Sequence, residues 1–169
     1  FDLAKMESGE LQMEKAKIDV CEICRSELAG YYEMLQDAGF TVEASIPEEE
    51  LYMSGDAQAM KRILGNLIQN ALKYSLDGSR VYIALKREDG MLMASVTNTS
   101  ADELDGSIDY TARFTRGDSS RTDGGSGLGL SIARSFTEAC GGTFRIAIIA
   151  DLFTAYVTSV SYTHLTLPT

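Results

Sequence analysis

Two short stretches combine residue types that could hold a phosphate-bearing ligand. The first is Gly124-Gly125-Ser126-Gly127-Leu128-Gly129-Leu130, a glycine-rich run at the opening of a helical pattern. At a helix start the first backbone N–H groups lack intrahelical partners and the dipole favours an anion, so such a run can cradle phosphate. It is no Walker A loop, because no Gly-Lys-Ser/Thr follows, and a dinucleotide fingerprint needs a strand immediately before it. By itself the run also reads as a flexible loop. The second stretch, Asn66-Leu67-Ile68-Gln69-Asn70-Ala71-Leu72-Lys73-Tyr74, sets Asn66, Asn70 and Lys73 at spacings of four and three, on one helix edge. Amide oxygens suit Mg²⁺, which keeps several waters and takes few protein ligands plus phosphate oxygens. Lys73 can answer phosphate charge, and the Tyr74 ring can flank a base. Alone this is a solvated helix face; beside the glycine-rich helix start it suggests a nucleotide site.

These residues need a scaffold, and the apolar periodicity supplies one. From Asp19, a candidate N-cap, apolar residues Val20, Ile23, Cys24, Leu28, Tyr31, Tyr32 and Leu35 recur at helical spacing until Gly39 stops the helix. Phe40 to Ile46 alternates as a strand, Pro47 breaks it, and Leu51 to Met53 reads as a short strand before Gly55 and the N-cap candidate Asp56. A second helix then runs to Tyr74 with Met60, Ile63, Leu64, Leu67, Ile68 and Ala71 as its apolar stripe. Arg80 to Arg87 and Met91 to Asn98, separated by Glu88-Asp89-Gly90, form a hairpin. Thr99 to Ser126 shows little periodicity, with one short helical turn expected around Ile108 to Phe114; structureless stretches of this length are usually functional lids or disordered segments. Gly127 to Ala139 is a third helix closed by Gly141-Gly142, followed by strands at Thr143 to Ile149 and Leu152 to Val160. Hairpin strands with three helices for one face give a two-layer α/β sandwich with a mostly antiparallel sheet. Ser161 to Thr169 continues no pattern.

Composition narrows the function. The 169 residues are 44% hydrophobic and 24% charged, the balance of a soluble globular domain. A net charge of −10 disfavours nucleic acid as a partner. No apolar run approaches membrane-spanning length, and the N-terminus has no signal-peptide pattern. Cys21, Cys24 and Cys140 are an odd count that favours a reducing compartment. The Cys21-x-x-Cys24 pair lacks a second pair or a nearby histidine and reads as buried apolar surface.

The sequence resembles the catalytic ATP-binding domain of bacterial sensor histidine kinases, of the superfamily shared with gyrase and the heat-shock ninety chaperone. Asn66 to Tyr74 is similar to the family's N box, Gly125 to Leu130 to its G2 box, Gly141-Gly142 to its later glycine pair, and Arg113-Phe114-Thr115-Arg116-Gly117 to its Arg-Phe-x-Arg-Gly segment at the lid. The resemblance implies an α+β Bergerat ATP-binding fold: a two-layer α/β sandwich with a mixed, mostly antiparallel sheet, three helices on one face and a long ATP lid. It further implies that Asn70 holds Mg²⁺ on the ATP phosphates with Asn66 beside it, that Lys73 and Arg116 contact phosphate, and that Tyr74 faces adenine or ribose. Gly125, Gly127, the Leu128 amide and Gly129 would let the helix start approach the triphosphate.

Departures from the family pattern carry their own expectations. Asn98 stands where the family has the Asp that accepts from the adenine amino group; its carbonyl oxygen can still accept that bond, more weakly because it is neutral. Thr111-Ala112 replaces Phe-Glu ahead of the lid, which removes a packing anchor. Asn66 stands where hydrolysing relatives have a general-base Glu, so futile hydrolysis is expected to be slow. Phe1 to Glu10 resembles the end of a dimerisation-hairpin helix and its linker, 11–160 the catalytic domain, and 161–169 a tail. The resemblance implies a phosphoacceptor histidine on that hairpin; the one histidine in the sequence, His164 in the tail, is a poor candidate for that role. Implied partners are ATP, the phosphoacceptor hairpin of the same protein and a response-regulator receiver domain, in a cytoplasmic module whose parent is compatible with membrane anchoring. Two other readings remain open: a nucleotide-binding-deficient scaffold module, which the changes at Asn98 and Thr111-Ala112 motivate, and an ATPase-type relative, which Asn66 disfavours.

Overall fold

Alternation along the strands decides which side of the sheet carries the core. The computed structural model describes residues 14–112 and 129–160. Along them run β1 (Ala16–Asp19), α1 (Val20–Asp37), β2 (Thr41–Ser45), β3 (Tyr52–Gly55), α2 (Ala57–Tyr74), β4 (Arg80–Glu88), β5 (Met91–Thr99), α3 (Gly129–Ala139), β6 (Thr143–Ile149) and β7 (Leu152–Val160). Five strands form one mixed sheet in the order β2-β4-β5-β7-β6, in which β2 and β4 are parallel and every other pair is antiparallel. Val81, Ile83 and Leu85 of β4, Leu92, Ala94, Val96 and Asn98 of β5, and Phe153, Ala155 and Val157 of β7 are buried. The register lines them up in rows, Ile83 to Val96 to Ala155 and Leu85 to Ala94 to Val157, so all share one face. Tyr82 on the opposite face is 41% exposed. This is the α+β sandwich expected from the sequence, with one wet face and one face under helices.

Helix α1 packs on β2, α2 on β5 and α3 on β6, while α2 touches both other helices. All six residues of the α2 stripe are buried, each worth roughly 1.5–3 kcal/mol for a large aliphatic side chain. Asp19 caps α1 as expected, its Oδ1 accepting from the Cys21 and Glu22 amides, and Asp56 caps α2 by accepting from Ala59 N–H. Tyr32 departs from expectation: it is 42% exposed, its hydroxyl accepting from Gln36 Nε2 at 2.9 Å. Cys21 and Cys24 lie in the core on α1, and burial pushes the Cys24 thiol up to about 12, which keeps it protonated at neutral pH.

Three local features differ from the sequence expectation. The β4–β5 turn is two residues, Asp89 and Gly90, with φ of 53° and 76°; Glu88 belongs to the strand. Both positive angles suit the type I′ turn that matches strand twist. Strand β1 was not anticipated; it pairs antiparallel with β3 in a separate two-stranded sheet, and Asp19 Oδ1 also accepts from Leu51 N–H at 3.3 Å. Residues 100–112 hold turns closed by Ile108 N–H to Asp105 O and Ala112 N–H to Asp109 O instead of a helical turn, and Phe114 lies outside the described residues.

The glycine pair after α3 is a close approach of backbones. Gly141 has φ +85°, Gly142 N–H donates to Thr137 O, and a Cβ on Gly142 would lie 2.5 Å from the Thr158 carbonyl oxygen. A Cβ on Gly30, inside α1, would meet nothing within 4 Å. Gly142→Ala should therefore lower stability by about 1–3 kcal/mol, and Gly30→Ala should raise it by roughly 0.5–1 kcal/mol. Thermal unfolding followed by circular dichroism checks both, with Tm moving in opposite directions by about 2–4 °C per kcal/mol.

Candidate functional site

Burying the α2 stripe leaves the helix's polar edge at the rim of the fold. Asn66, Asn70, Lys73 and Tyr74 are all half-buried there, and Lys73 Nζ sits 5.9 Å from the Tyr74 ring centroid. The helix ends at Ser75, whose amide and hydroxyl both donate to Ala71 O. Beyond it the chain is sewn to the exit of β5: Ala101 N–H donates to Tyr74 O, Leu76 N–H to Thr99 O, and Ser75 and Ser100 form an antiparallel bridge. That seam sets Tyr74 against Ala101 and Leu76 against Thr99, the residue that follows Asn98.

Asn98 is 2% exposed, between Val81 on β4 and Phe153 on β7. Among the described residues its Oδ1 is buried without a hydrogen-bond partner, and so is Asn66 Nδ2. An orphaned buried polar atom costs about 1–3 kcal/mol, so two on the edges of one candidate site point to groups supplied from outside the chain. Gly129 is the first described residue of α3, which packs against α2 with the Arg62 guanidinium 5.8 Å from the Phe136 ring centroid. Arg116, Gly125, Gly127 and Leu128 lie outside the described residues. Asn66, Asn70 and Lys73 thus share one edge of α2, with Asn66 at the middle of the helix in a cavity it lines with Tyr31, Arg62 and Phe136, while Tyr74 ends the helix and Asn98 lies near the end of β5. Among the described residues no cluster of His, Cys, Asp and Glu could hold a metal, so a cation here would have to rely on amide and ligand oxygens.

Residues 55–168 match the family described as histidine kinase-, DNA gyrase B-, and HSP90-like ATPase. The chain belongs to this family. Among curated relatives it is 30% identical over 149 residues to sensor histidine kinase YcbM of Bacillus subtilis, covering 86% of this chain and 48% of that one. It is 36% identical over 144 residues to probable sensor protein PcoS of Escherichia coli, covering 83% and 30%. The chain therefore spans about half or less of the length of these relatives. Its fold is similar to that of full-length ShkA, solved in complex with AMPPNP, at a TM-score of 0.75 or better: 0.78 over 94% of this chain and 33% of that one, at 19% identity. Family membership carries ATP as the ligand class of the domain. No helix among the described residues is long and apolar enough to cross a membrane.

One part of this ATPase-family site was not legible in the sequence. Arg134 of α3 donates to Thr111 Oγ1 at 2.8 Å, lies 3.8 Å from Asp109 and pairs with Glu138 one turn on at 3.3 Å. Tyr110 meets Phe153 edge-on at 5.8 Å, and its hydroxyl accepts from Asp105 N–H. The change to Thr111-Ala112 thus does not leave the segment ahead of the lid unanchored: a polar clamp on α3 and an aromatic contact with the core hold it. Arg134 is 23 residues from Thr111, and Tyr110 and Phe153 are farther apart still, so no local pattern announces these contacts.

Thr111 also donates through its amide and hydroxyl to Asp109 Oδ1, which holds the Asp109 carboxyl below the ordinary carboxylate range, with Arg134 adding a smaller effect in the same direction. A depressed folded pKa means that this loop contact is present above the ordinary value and is lost as pH falls through the lower folded one. In NMR titration the Thr111 amide resonance should therefore move with a midpoint below the usual Asp value of about 3.9. Thr111→Val, which removes the hydroxyl donor, should raise the Asp109 midpoint; an unchanged midpoint would show that the hydroxyl does not hold the carboxylate.

Proposed function

We propose that this domain binds Mg·ATP along the α2–β5 edge and presents the γ-phosphate to a histidine on a helical hairpin of its parent protein, as a sensor histidine kinase. The observation that carries the reading is the buried Asn98 oxygen without a partner, on the strand whose exit is joined to the end of α2. A carbonyl oxygen there suits the exocyclic amino group of adenine. In this reading Asn70 contributes its amide oxygen to Mg²⁺, and Asn66 lies one turn earlier with its unpartnered Nδ2 suited to an acceptor such as a phosphate oxygen. Lys73 meets phosphate, Tyr74 lies against the base or ribose, and Arg116 with the Gly125, Gly127, Leu128 and Gly129 backbone completes the phosphate cradle. Bound Mg²⁺ would neutralise charge developing between the β- and γ-phosphates.

The chemistry asked of these residues is positioning and charge stabilisation. Asn66 cannot take up a proton at neutral pH, so water is a poor nucleophile in this site and the triphosphate is kept for the histidine. The parent's other partner is a receiver domain that takes the phosphoryl group from that histidine, in the cytoplasm. Support comes from the sensor kinases among the relatives and from the nucleotide analogue in the ShkA structure.

Calorimetric titration with a non-hydrolysable ATP analogue should show micromolar to sub-millimolar binding that needs Mg²⁺. Asn70→Ala should abolish the Mg²⁺-dependent part with the fold retained by circular dichroism; unchanged affinity would sink the metal role. A folded domain that binds no nucleotide would overturn the whole reading. Asn66→Glu should raise ATP hydrolysis by about tenfold or more, toward the roughly 10²–10⁴-fold of a placed general base, while ATP binding persists.

A further inference from the structure

A base-reading group in a dry site discriminates by what it cannot do. Asn98 sits 2% exposed on the central strand β5, with Val81 and Phe153 opposite it on either side. Its backbone is fixed in the sheet by both neighbours, and the strand exit is held by the Ser75–Ser100 bridge and the Leu76 and Ala101 amides. The one freedom left to the side chain is rotation about its terminal bond, a soft, roughly two-fold torsion. A half-turn exchanges a carbonyl acceptor for an NH₂ donor without changing shape or volume. A carboxylate at the same place could only accept, and its charge would face the lone pairs of any oxygen presented to it.

We propose that Asn98 lets the site take 6-oxo purine nucleotides as well as 6-amino ones, making it the residue that relaxes base selectivity. This rests on the nucleotide reading above. With adenine, the unpartnered Oδ1 accepts from the 6-amino group; with a 6-oxo purine, the rotated amide donates to the oxygen, so either ligand meets a complementary group at its 6-position. A site with an acceptor alone rejects the mismatched ligand strongly, because the unmet pair is buried in both partners. The aromatic ring of Tyr74 adds no discrimination, since every purine offers it a π-face.

Titrating the folded chain with ADP and with IDP in the presence of Mg²⁺ isolates the 6-position, because neither base carries a 2-amino group. The two dissociation constants should agree within about tenfold for the native chain, and Asn98→Asp should widen the ratio in favour of ADP by at least tenfold. A native preference for ADP larger than tenfold overturns the proposal, whether or not the variant folds. So does a folded Asn98→Asp variant with an unchanged ratio. A folded native chain that binds neither diphosphate overturns the nucleotide reading itself, an outcome distinct from selective binding of ADP.

Discussion

The seam between the end of α2 and the exit of β5 is the constraint on which the site depends. Three backbone contacts, Ala101 to Tyr74, Leu76 to Thr99 and the Ser75–Ser100 bridge, set the helix's last turn against the strand that carries Asn98. The helix is free to use its polar edge for a ligand because its opposite stripe, from Met60 to Ala71, is spent on the sheet and the other helices. Hydrophobic burial chooses the rotation of α2 about its axis, and the seam chooses how far along β5 it sits. Between them they set Asn66, Asn70 and Lys73 along one edge of α2 and join the end of that helix to the exit of the strand that carries Asn98.

The electrostatic problem follows from composition. A chain with net charge −10 repels a polyanion such as a triphosphate at long range, so binding must be driven by groups at short range. In the proposed reading Lys73, the amide-bearing Asn70 with a cation, and backbone N–H groups at a helix start supply that short-range attraction. Neutral amides at 66, 70 and 98 add no charge to an already acidic domain, and in the proposed reading Asn66 supplies no base for water. The same neutrality gives Asn98 the two-way hydrogen bonding that a carboxylate lacks.

The loop after β5 shows how one anchoring chemistry can replace another. Phe-Glu gives way to Thr111-Ala112, yet Tyr110 stacks edge-on against the core residue Phe153, and Arg134 reaches from α3 to Thr111 and Asp109. Arg134 is on the helix that Gly129 opens, so loop and helix are tied together across the floor of Phe144, Ile146 and Ile148. Exposed ion pairs contribute little stability individually; their effect here is to fix where the loop stands relative to α3.

The sequence alone determined what local periodicity and turn chemistry can encode. The three helices, the pairing of β4 and β5 as a hairpin, strands β6 and β7, the caps at Asp19 and Asp56 and the polar edge of α2 all follow from neighbours within a few residues, as does the family resemblance carried by contiguous motifs. Tertiary structure alone decided the β1–β3 ribbon, the parallel pairing of β2 with β4, the outward turn of Tyr32 and the Arg134 clamp. Each depends on pairing or burial between residues distant in the chain, which is a property of the assembled layers. The burial of Asn98 belongs with them: it depends on the flanking strands, which set Val81 and Phe153 on either side of it.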